Sequence, residues 1–261
     1  MTSKVTVERE GAVLLMGINR PEKRNAFDLE TIAALAAAYE QLGDDDSLRV
    51  GVLFAHGAHF SAGLDLAEVG PAVGEQGPEA LSGARKYDPF GVWAPLVPKP
   101  VVMAVNGIAF TLSIELALAS DIVIAANDVR FRQLEIARGI MPFGGATMRA
   151  PAKLGWGNAM RFLLTAEEFH ADEAHRIGLV QEIVMPGQHV TRAVQLAQLI
   201  AKQAPIGVQA TLLNARTYET KGVGAATEHL RGALKQVMAS EDAAEGMMSF
   251  VERREAAFTG K

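Results

Sequence analysis

The chain of 261 residues contains no cysteine, and this absence excludes several kinds of functional site. Without thiols there is no disulfide framework, no thiolate metal site and no cysteine nucleophile. The composition suits a reducing compartment, so we expect a cytoplasmic protein. A chain of this length can bury a large core and needs no disulfides to hold it together.

Long apolar runs and an excess of basic charge are absent as well. The longest stretches without a charged residue, such as 100–114, are too short to span a bilayer, and the N-terminus lacks the apolar region of a signal peptide. Twenty-five basic and 30 acidic residues give a net charge of -5, which creates no overall positive field. We therefore expect a soluble protein with neither nucleic acid nor a membrane as a partner.

The apolar pattern predicts alternating strands and helices. Residues 4–18 indicate two short edge strands around a turn at Glu10-Gly11, and Asp28 can cap the helix that follows. Compact apolar runs at 49–55, 100–107 and 121–126 predict buried strands, separated by helical stretches. The order β, β, α is repeated, which is typical of an α/β protein.

Residues 70–100 differ in composition, because they hold six of the 11 prolines and five glycines. This stretch predicts a long loop, and loops of such length are usually functional lids or disordered. Tyr87, Phe90 and Trp93 lie in it. They either line a pocket or cover the core.

The last third of the chain is predicted to be helical. Residues 156–184 carry helical signals with stops at Gly178 and Gly187, and 191–258 are almost wholly helical. We divide the chain into a core at 1–190 and a helical region at 191–261, which serves as active-site cover or oligomer surface. Phe250, Arg253 and Arg254 either reach a neighbouring subunit or belong to a packed C-terminal helix.

One charged side chain interrupts a strongly apolar segment. Between residues 100 and 120 the only charge is Glu115, in a stretch (TLSIELALAS) that is apolar on every side of a helical wheel. Helices of this kind are buried, and an ionised carboxylate inside one is costly unless it is paired or hydrogen-bonded. Glu115 is either part of a buried salt bridge or cap, or a catalytic acid or base whose pKa is shifted by burial.

A second carboxylate, Glu135, follows the strand predicted at 121–126. If the chain returns beside the first helix, both carboxylates can face one cavity and titrate as a coupled pair, one ionised and one protonated. Such a pair is an acid and a base together. Spacing alone leaves an equal alternative, in which Glu135 pairs with Arg132 or Arg138.

Six ordered blocks resemble the enoyl-CoA hydratase/isomerase (crotonase) family, and together they extend over nearly the whole chain. They are residues 19–27 (NRPEKRNAF), 59–66 (HFSAGLDL), 99–125, 131–147, 161–184 and 241–261. The resemblance implies an α/β fold, a crotonase-like spiral of ββα repeats with two roughly perpendicular sheets and a helical C-terminal region. It also implies assembly as homotrimers or homohexamers.

The resemblance implies that Glu115 and Glu135 are the catalytic glutamates. Hydratases of the family add water across the C2=C3 bond of an enoyl thioester, which requires a base to activate water at C3 and an acid to protonate C2. By the family pattern Glu115 orients and deprotonates the water and Glu135 is the acid. This chemistry needs no cofactor and no metal, since coenzyme A enters as part of the acyl-CoA substrate.

The same resemblance places an oxyanion hole on the backbone N–H groups of Leu64 and Leu112. The thioester oxygen gains negative charge as an enolate forms, and fixed donors stabilise it; a helix N-terminus supplies such donors. The family usually has glycines before the first glutamate, whereas this chain has Thr111, Leu112 and Ser113. Either the backbone there needs no positive φ, or the pocket is narrowed and reshaped.

Further substrate contacts are implied for the first two blocks. Lys23 and Arg24 lie where the family meets the nucleotide end of CoA, although a solvated surface turn accounts for them equally well. Ala62, Gly63 and Asp65 surround the first N–H donor. Asp65 is also placed to cap the following helix.

Two other sites suggested by the second block are rejected. His59, Ser61 and Asp65 do not form a nucleophilic triad, because near neighbours in one loop do not build one and a nucleophile elbow needs glycine at position 59. His56 and His59 lack an evident third metal ligand, so we expect ordinary loop histidines.

The sequence thus predicts an enoyl-CoA hydratase, a hydro-lyase that reversibly adds water in the syn sense to 2-trans-enoyl-CoA and forms 3-hydroxyacyl-CoA. One alternative is an isomerase that moves a proton between C2 and C4, chiefly with Glu135. Another is a catalytically idle CoA-binding or scaffold relative. RNA binding, which occurs in the family, is disfavoured by the net charge of -5.

Overall fold

The computed structural model describes residues 3–81 and 85–261. The strands are β1 (Val5–Glu10), β2 (Val13–Ile18), β3 (Val50–Ala55), β4 (Val101–Val105), β5 (Ile108–Phe110), β6 (Ile122–Ala126), β7 (Arg130–Arg132), β8 (Phe169–His170) and β9 (Glu182–Val184). The helices are α1 (Leu29–Asp44), α2 (Leu66–Gln76), α3 (Leu112–Ala119), α4 (Ala146–Leu154), α5 (Trp156–Thr165), α6 (Ala171–Arg176), α7 (His189–Ala201), α8 (Pro205–Met238) and α9 (Glu241–Glu252). Short 3-10 turns cover Pro21–Lys23, Pro78–Leu81 and Glu135–Arg138.

The larger sheet has the strand order β1-β2-β3-β4-β6-β9. β1 and β2 form the predicted antiparallel hairpin at its edge, and the remaining pairs are parallel. Strands β3 and β4 are almost continuously apolar because both faces of a parallel sheet are covered. One face packs on α7 through Ala193 and Ala197, which meet Val50, Val52 and other side chains of a small apolar cluster.

A second layer of short strands lies beside the first. β5 pairs with β7 in parallel, and β7 pairs with β8 in the antiparallel sense. Isolated bridges extend this layer, since Ser61 pairs with Ala109 and Leu64 pairs with Phe27. The chain therefore repeats one pattern, a strand of the large sheet followed by a short strand of the second layer and a helix. This arrangement confirms the predicted α/β class and places residues 61–64 next to β5.

The helix α1 begins where the sequence predicts. Asp28 is its N-cap, and the Asp28 carboxylate accepts hydrogen bonds from the Thr31 N–H (2.8 Å) and the Thr31 hydroxyl (2.7 Å). The same buried carboxylate meets the ammonium of Lys4 at 2.6 Å and the guanidinium of Arg20 at 3.3 Å. The cap thereby ties the start of α1 to the edge strand and to the loop after β2.

The predicted loop at 70–100 is only partly correct. Its first residues belong to α2, which runs through Pro71 and is anchored in the core by the buried Val69, and a 3-10 turn follows. Residues 85–100 form no helix or strand, as predicted, whereas 82–84 lie outside the described residues. No helix is predicted here from the sequence pattern, because Pro71 and three nearby glycines are all poor helix formers.

The C-terminal third contains the predicted helices and two short strands, β8 and β9, that the sequence pattern missed. β9 has only three residues, too few for a periodic signal, and it completes the large sheet against β6. α8 is broken at Gly222, whose φ is 79°. No helix within 3–81 or 85–261 is long and apolar enough to cross a membrane. The boundary between 1–190 and 191–261 stays a prediction, although α7 starts at His189 and packs on the sheet.

Candidate active site

Glu115 lies in the first turn of α3, where every residue of the helix is buried. Its side chain is 1% exposed. The Oε1 atom accepts hydrogen bonds from the backbone N–H groups of Gly144 (2.9 Å) and Ala146 (3.0 Å) at the start of α4. The alternative of a buried salt bridge is wrong, because no basic side chain of the described chain lies within ion-pair distance of Glu115.

Burial raises the pKa of Glu115 to about 8, since the apolar surroundings disfavour its charged form. The two backbone donors oppose this shift by stabilising the carboxylate, and the negative charge of Glu135 adds to it. Glu135 contributes less to this shift than burial does. That both carboxyl groups belong to one site stays a prediction.

Glu135 opens the 3-10 turn that follows β7 and is 6% exposed. Its Oε1 atom accepts a hydrogen bond from the amide of the buried Gln133 at 3.1 Å, whereas the buried Oε2 atom has no partner among the described residues. Burial raises the pKa of Glu135 to about 7. The alternative in which Glu135 pairs with Arg132 or Arg138 is wrong, since Arg132 bonds to the Ala166 carbonyl and Arg138 forms no ion pair in the described part of the chain.

A cavity of about 210 Å³ opens in front of Glu135. It is lined by Ala62, Leu64, Leu66, Thr111, Leu134, Glu135, Arg138 and Ile140. Four of the residues come from the second block and the start of α3, and four from the turn around Glu135. Glu115 is not part of the lining, and it lies behind Thr111 on the first turn of α3.

The N–H groups of Leu64 and Leu112 take no part in the hydrogen bonds of the backbone around them. The bridge between Leu64 and Phe27 is made by the N–H groups of Phe27 and Asp65, at 2.8 and 2.9 Å. Leu112 is the first residue of α3, where N–H groups have no partner in their own helix. Across residues 3–81 and 85–261, neither N–H donates to a protein acceptor. One of these N–H groups belongs to Leu64 in the cavity wall, and the other belongs to Leu112, which follows the wall residue Thr111.

The two donors are held in place by Gly63 and Thr111. Gly63 has a φ of 97° and is packed so closely that a Cβ atom there would lie 2.0 Å from Oγ1 of Thr111. Thr111 itself has a φ of 50° and a ψ of -111°. The alternative in which the backbone at 111–113 needs no positive φ is therefore wrong, because Thr111 adopts one. The second alternative, a narrowed pocket, agrees with the position of the Thr111 side chain in the cavity wall.

The first block forms an exposed turn beside the second. Lys23 and Arg24 are exposed, and neither pairs with an acidic side chain in the described ranges. The Arg24 carbonyl accepts a hydrogen bond from the N–H of Ala62 at 2.9 Å, which fixes the turn against the cavity. Asp65 occupies the N-cap position of α2, but the prediction that its side chain caps the helix is wrong. Its carboxylate instead accepts from Arg20 at 3.0 Å.

The other polar residues of the second block are tied into the loop. The Ser61 hydroxyl donates to the Asn25 carbonyl at 2.6 Å and accepts from the Gly63 N–H at 3.0 Å, so it positions Gly63. His59 accepts through Nδ1 from the N–H of Ile108 at 3.3 Å. His56 lies 2.8 Å from the Thr6 hydroxyl. These contacts agree with the rejection of a triad and with loop histidines.

The aromatic residues of 85–100 do not line the cavity in front of Glu135. Phe90 is buried in the core, and Trp93 is exposed. Tyr87 borders a second cavity of about 780 Å³ between this segment, α4 and α8. Neither Glu115 nor Glu135 lines this second cavity. On α9, Phe250 is 84% exposed, so this helix does not bury its apolar side chains within one chain.

Three elements of the site were missed at the level of sequence. The N–H groups of Gly144 and Ala146 carry no sequence signal, because backbone donors are the same for every residue type. Gln133 is an uncharged polar residue two positions before Glu135 and could have been found as its neighbour. Arg20 forms ion pairs with both Asp28 and Asp65. It was not singled out in the sequence because several other charged residues surround it.

Comparison with known proteins identifies the family of the chain. The sequence model of the enoyl-CoA hydratase/isomerase family matches residues 8–261. The chain belongs to the enoyl-CoA hydratase/isomerase family. A 2,3-dehydroadipyl-CoA hydratase of Escherichia coli K12 is 32% identical over 99% of this chain and 100% of its own length. A short-chain-enoyl-CoA hydratase of Clostridium acetobutylicum is 31% identical over 97% of this chain and 96% of its own.

The fold of the family is present throughout. The crystal structure of a probable enoyl-CoA hydratase/isomerase from Mycobacterium abscessus superimposes with a TM-score of 0.93, at 49% identity, covering 99% of both chains. The predicted family, its fold and an enzyme of the hydro-lyase type are thereby confirmed. Membership supports an acyl-CoA thioester as the class of substrate and leaves the acyl group open.

Proposed function

We propose that this protein is an enoyl-CoA hydratase, which reversibly adds water in the syn sense to a 2-trans-enoyl-CoA and forms a 3-hydroxyacyl-CoA. The observation that carries the proposal is the pair of buried glutamates, Glu115 and Glu135, whose pKa values are both raised by burial. Relatives named as enoyl-CoA hydratases support the same reaction class. Hydration requires an acid and a base at once, and such a pair supplies both.

In the proposed reaction the thioester oxygen lies between the N–H groups of Leu64 and Leu112. These donors stabilise the negative charge that develops as water adds to the conjugated bond. Glu115 takes a proton from the water whose oxygen bonds to C3, and Glu135 delivers a proton to C2. One water is added in total, and the two carboxyl groups end with their protons exchanged, to be restored by transfer through the site or solvent.

The electrostatics support a single shared proton near neutral pH. A pKa of about 8 for Glu115 and about 7 for Glu135 leaves one proton on the pair in this range. Greater burial favours the proton on Glu115, whereas the two backbone N–H donors favour its ionised form. We assign the base to Glu115 by the family pattern, so the proton that the free site holds on Glu115 near neutral pH must leave before this carboxylate can activate water.

We further propose that CoA runs along the first two blocks. Lys23 and Arg24 are exposed cations on a turn fixed to Ala62, and they suit the phosphates of the nucleotide end. Ala62, Gly63 and Asp65 then form the wall that the thioester follows into the cavity. No metal or further cofactor is part of the proposal.

The test follows the ultraviolet absorbance of the conjugated enoyl thioester, with crotonyl-CoA and a longer analogue. We expect the absorbance to fall on addition of enzyme, and Glu115→Gln and Glu135→Gln each to slow the reaction by about 10²- to 10⁴-fold. Glu8→Gln, on the exposed edge strand, serves as the control and should leave the rate unchanged. No turnover by the parent protein, or unchanged rates in both active-site variants, would refute the hydratase proposal.

An isomerase is the second candidate, because Glu135 lines the cavity and Glu115 does not. An isomerase shuttles one proton between C2 and C4 and can work chiefly with Glu135. A 3-enoyl-CoA substrate distinguishes the two. If Glu115→Gln retains formation of the conjugated thioester from this substrate while hydration is lost, the isomerase is the better description.

A further inference from the structure

Thr111 has a backbone conformation that threonine rarely adopts. Its φ of 50° and ψ of -111° lie in a region that suits glycine, and β-branched residues are outliers there. The residue joins β5 to α3, and the Thr111 N–H is fixed by the Arg132 carbonyl at 2.9 Å. Strain of this kind persists only where the surrounding structure enforces it, and it is concentrated at functional sites. The side chain at this position therefore needs an explanation beyond chain geometry.

The hydroxyl of Thr111 is buried and has no hydrogen-bond partner in the described part of the chain. It rests against Gly63, whose missing Cβ atom leaves the space that Oγ1 occupies. Gly63 precedes Leu64, and Thr111 precedes Leu112, so the hydroxyl lies beside both residues that carry free N–H groups. Thr111 also lines the cavity in front of Glu135.

Buried hydroxyl groups are almost always hydrogen-bonded, and an unpaired one destabilises the folded protein. The unpaired Oε2 atom of Glu135 lines the same cavity but forms no bond with Thr111. Thr111, Glu135 and Leu64 line one cavity, and their unpaired hydroxyl, carboxyl oxygen and N–H indicate that a partner arrives with the ligand. A hydroxyl differs from the two N–H groups because it rotates and can follow the movement of an acceptor.

We propose that the Thr111 hydroxyl is a third donor to the thioester oxygen of the substrate, beside the backbone N–H groups of Leu64 and Leu112. This inference rests on the proposed function, since it takes the ligand to be an acyl-CoA thioester. The thioester oxygen becomes more negative as the enolate forms, so the O–H bond to it strengthens in the transition state. An interaction of that kind raises kcat more than it lowers KM.

The matched variants are Thr111→Val and Thr111→Ser. Valine has the same shape and the same β-branching as threonine and removes only the hydroxyl, whereas serine keeps the hydroxyl. We expect Thr111→Val to lower kcat on the order of 10²-fold with a small change in KM. Thr111→Ser should retain kcat within about threefold of the parent. Equal activity of the parent and Thr111→Val would overturn the proposal, and so would equal loss in the valine and serine variants.

A second measurement does not depend on turnover. A saturated acyl-CoA thioester and the matching thioether, which has no carbonyl oxygen, are bound to the parent and to Thr111→Val. We expect the valine substitution to weaken thioester binding about threefold to tenfold and to leave thioether binding unchanged. The infrared carbonyl band of the bound thioester should also shift less from its free position in Thr111→Val. Equal effects on both ligands, or an unchanged band, would overturn the inference.

The two proposals fail in different ways. If the parent binds the thioester and Thr111→Val alters its carbonyl band, but no enoyl-CoA is hydrated, the hydratase proposal is wrong and the donor role of Thr111 stands. If hydration proceeds normally and the valine variant matches the parent in rate and band, only the inference about Thr111 is wrong.

Discussion

The buried carboxyl of Glu115 links catalysis to stability. Its apolar helix gives it no counter-ion within reach, and the two backbone donors satisfy only one of its oxygens. An ionised carboxylate in this position lowers the free energy of unfolding, because the charge is removed from water. This cost is the physical reason why one charge in an otherwise apolar segment could be identified from the sequence as a site residue.

The pH dependence of stability should show this cost directly. Burial raises the pKa of Glu115 from 4.5 to about 8, so the folded protein binds this proton more tightly than the unfolded chain does. The resulting stabilisation is complete below pH 4.5 and is lost as the pH rises to about 8. Glu115→Gln does not titrate. We therefore expect it to be more stable than the parent by a few kcal/mol at pH 9, since each pKa unit corresponds to about 1.4 kcal/mol.

The measurement is denaturant unfolding at a fixed protein concentration from pH 5 to pH 9. Glu8→Gln, on the exposed edge strand, is the control for loss of one negative charge. The difference between Glu115→Gln and the parent should grow between pH 5 and pH 8 and then level off. A difference that stays constant with pH would show that Glu115 keeps its proton equally well in the folded and the unfolded chain.

At the scale of helices and strands, the sequence pattern predicts correctly those elements that depend on residues close together in the chain. The β1–β2 hairpin, the Asp28 cap and the buried strands β3, β4 and β6 follow from alternation, a capping side chain and compact apolar runs. α2 and β9 do not, because Val69 in the core and pairing with β6 stabilise segments whose own sequences favour neither element. Tertiary contacts overrode the local signal there.

The site shows the same division. Glu115 was predicted because a buried charge is unusual in any fold, whereas Glu135 was predicted from its position after a strand and from the family resemblance. The bridges that bring Ser61 beside Ala109 and Leu64 beside Phe27 span long stretches of chain, and no local pattern encodes them. Backbone donors leave no trace in residue type, and the positive φ of Thr111 contradicts the preference of threonine. The two glutamates and, through the family resemblance, the donors of Leu64 and Leu112 were predicted from the sequence, but the contacts that position them were not.

Substitution of the N-cap residue Asp28 should strongly lower the free energy of unfolding. Asp28→Ala removes the bonds to Thr31 and leaves Lys4 and Arg20 without a buried partner, so we expect a loss of about 3 kcal/mol in the free energy of unfolding. Asp28→Asn keeps an acceptor for Thr31 and loses only the charge, and it should cost about half as much. Denaturant unfolding of the two variants measures this difference. Equal losses would mean that capping contributes nothing beyond the ion pairs.

At the scale of the whole molecule, the C-terminal helices carry many large apolar side chains that are exposed in the single chain. On α8 and α9 the large exposed side chains are Leu213, Tyr218, Val223, Leu230, Leu234, Met238, Met247, Met248, Phe250 and Val251. Contiguous apolar patches of this kind mark interaction surfaces. We propose that a homotrimer or homohexamer covers them, as the family resemblance implies.

Light scattering after size-exclusion chromatography tests this proposal. We expect a mass of three or six chains for the parent protein. Phe250→Glu places a charge on a side chain that is 84% exposed in the single chain, so it cannot disturb the core and should lower the mass only by opening an interface. Val7→Glu, on the edge strand β1, is the control and should keep the assembled mass. A monomer mass for the parent would contradict the proposed assembly, and an assembled Phe250→Glu would place the interface away from α9.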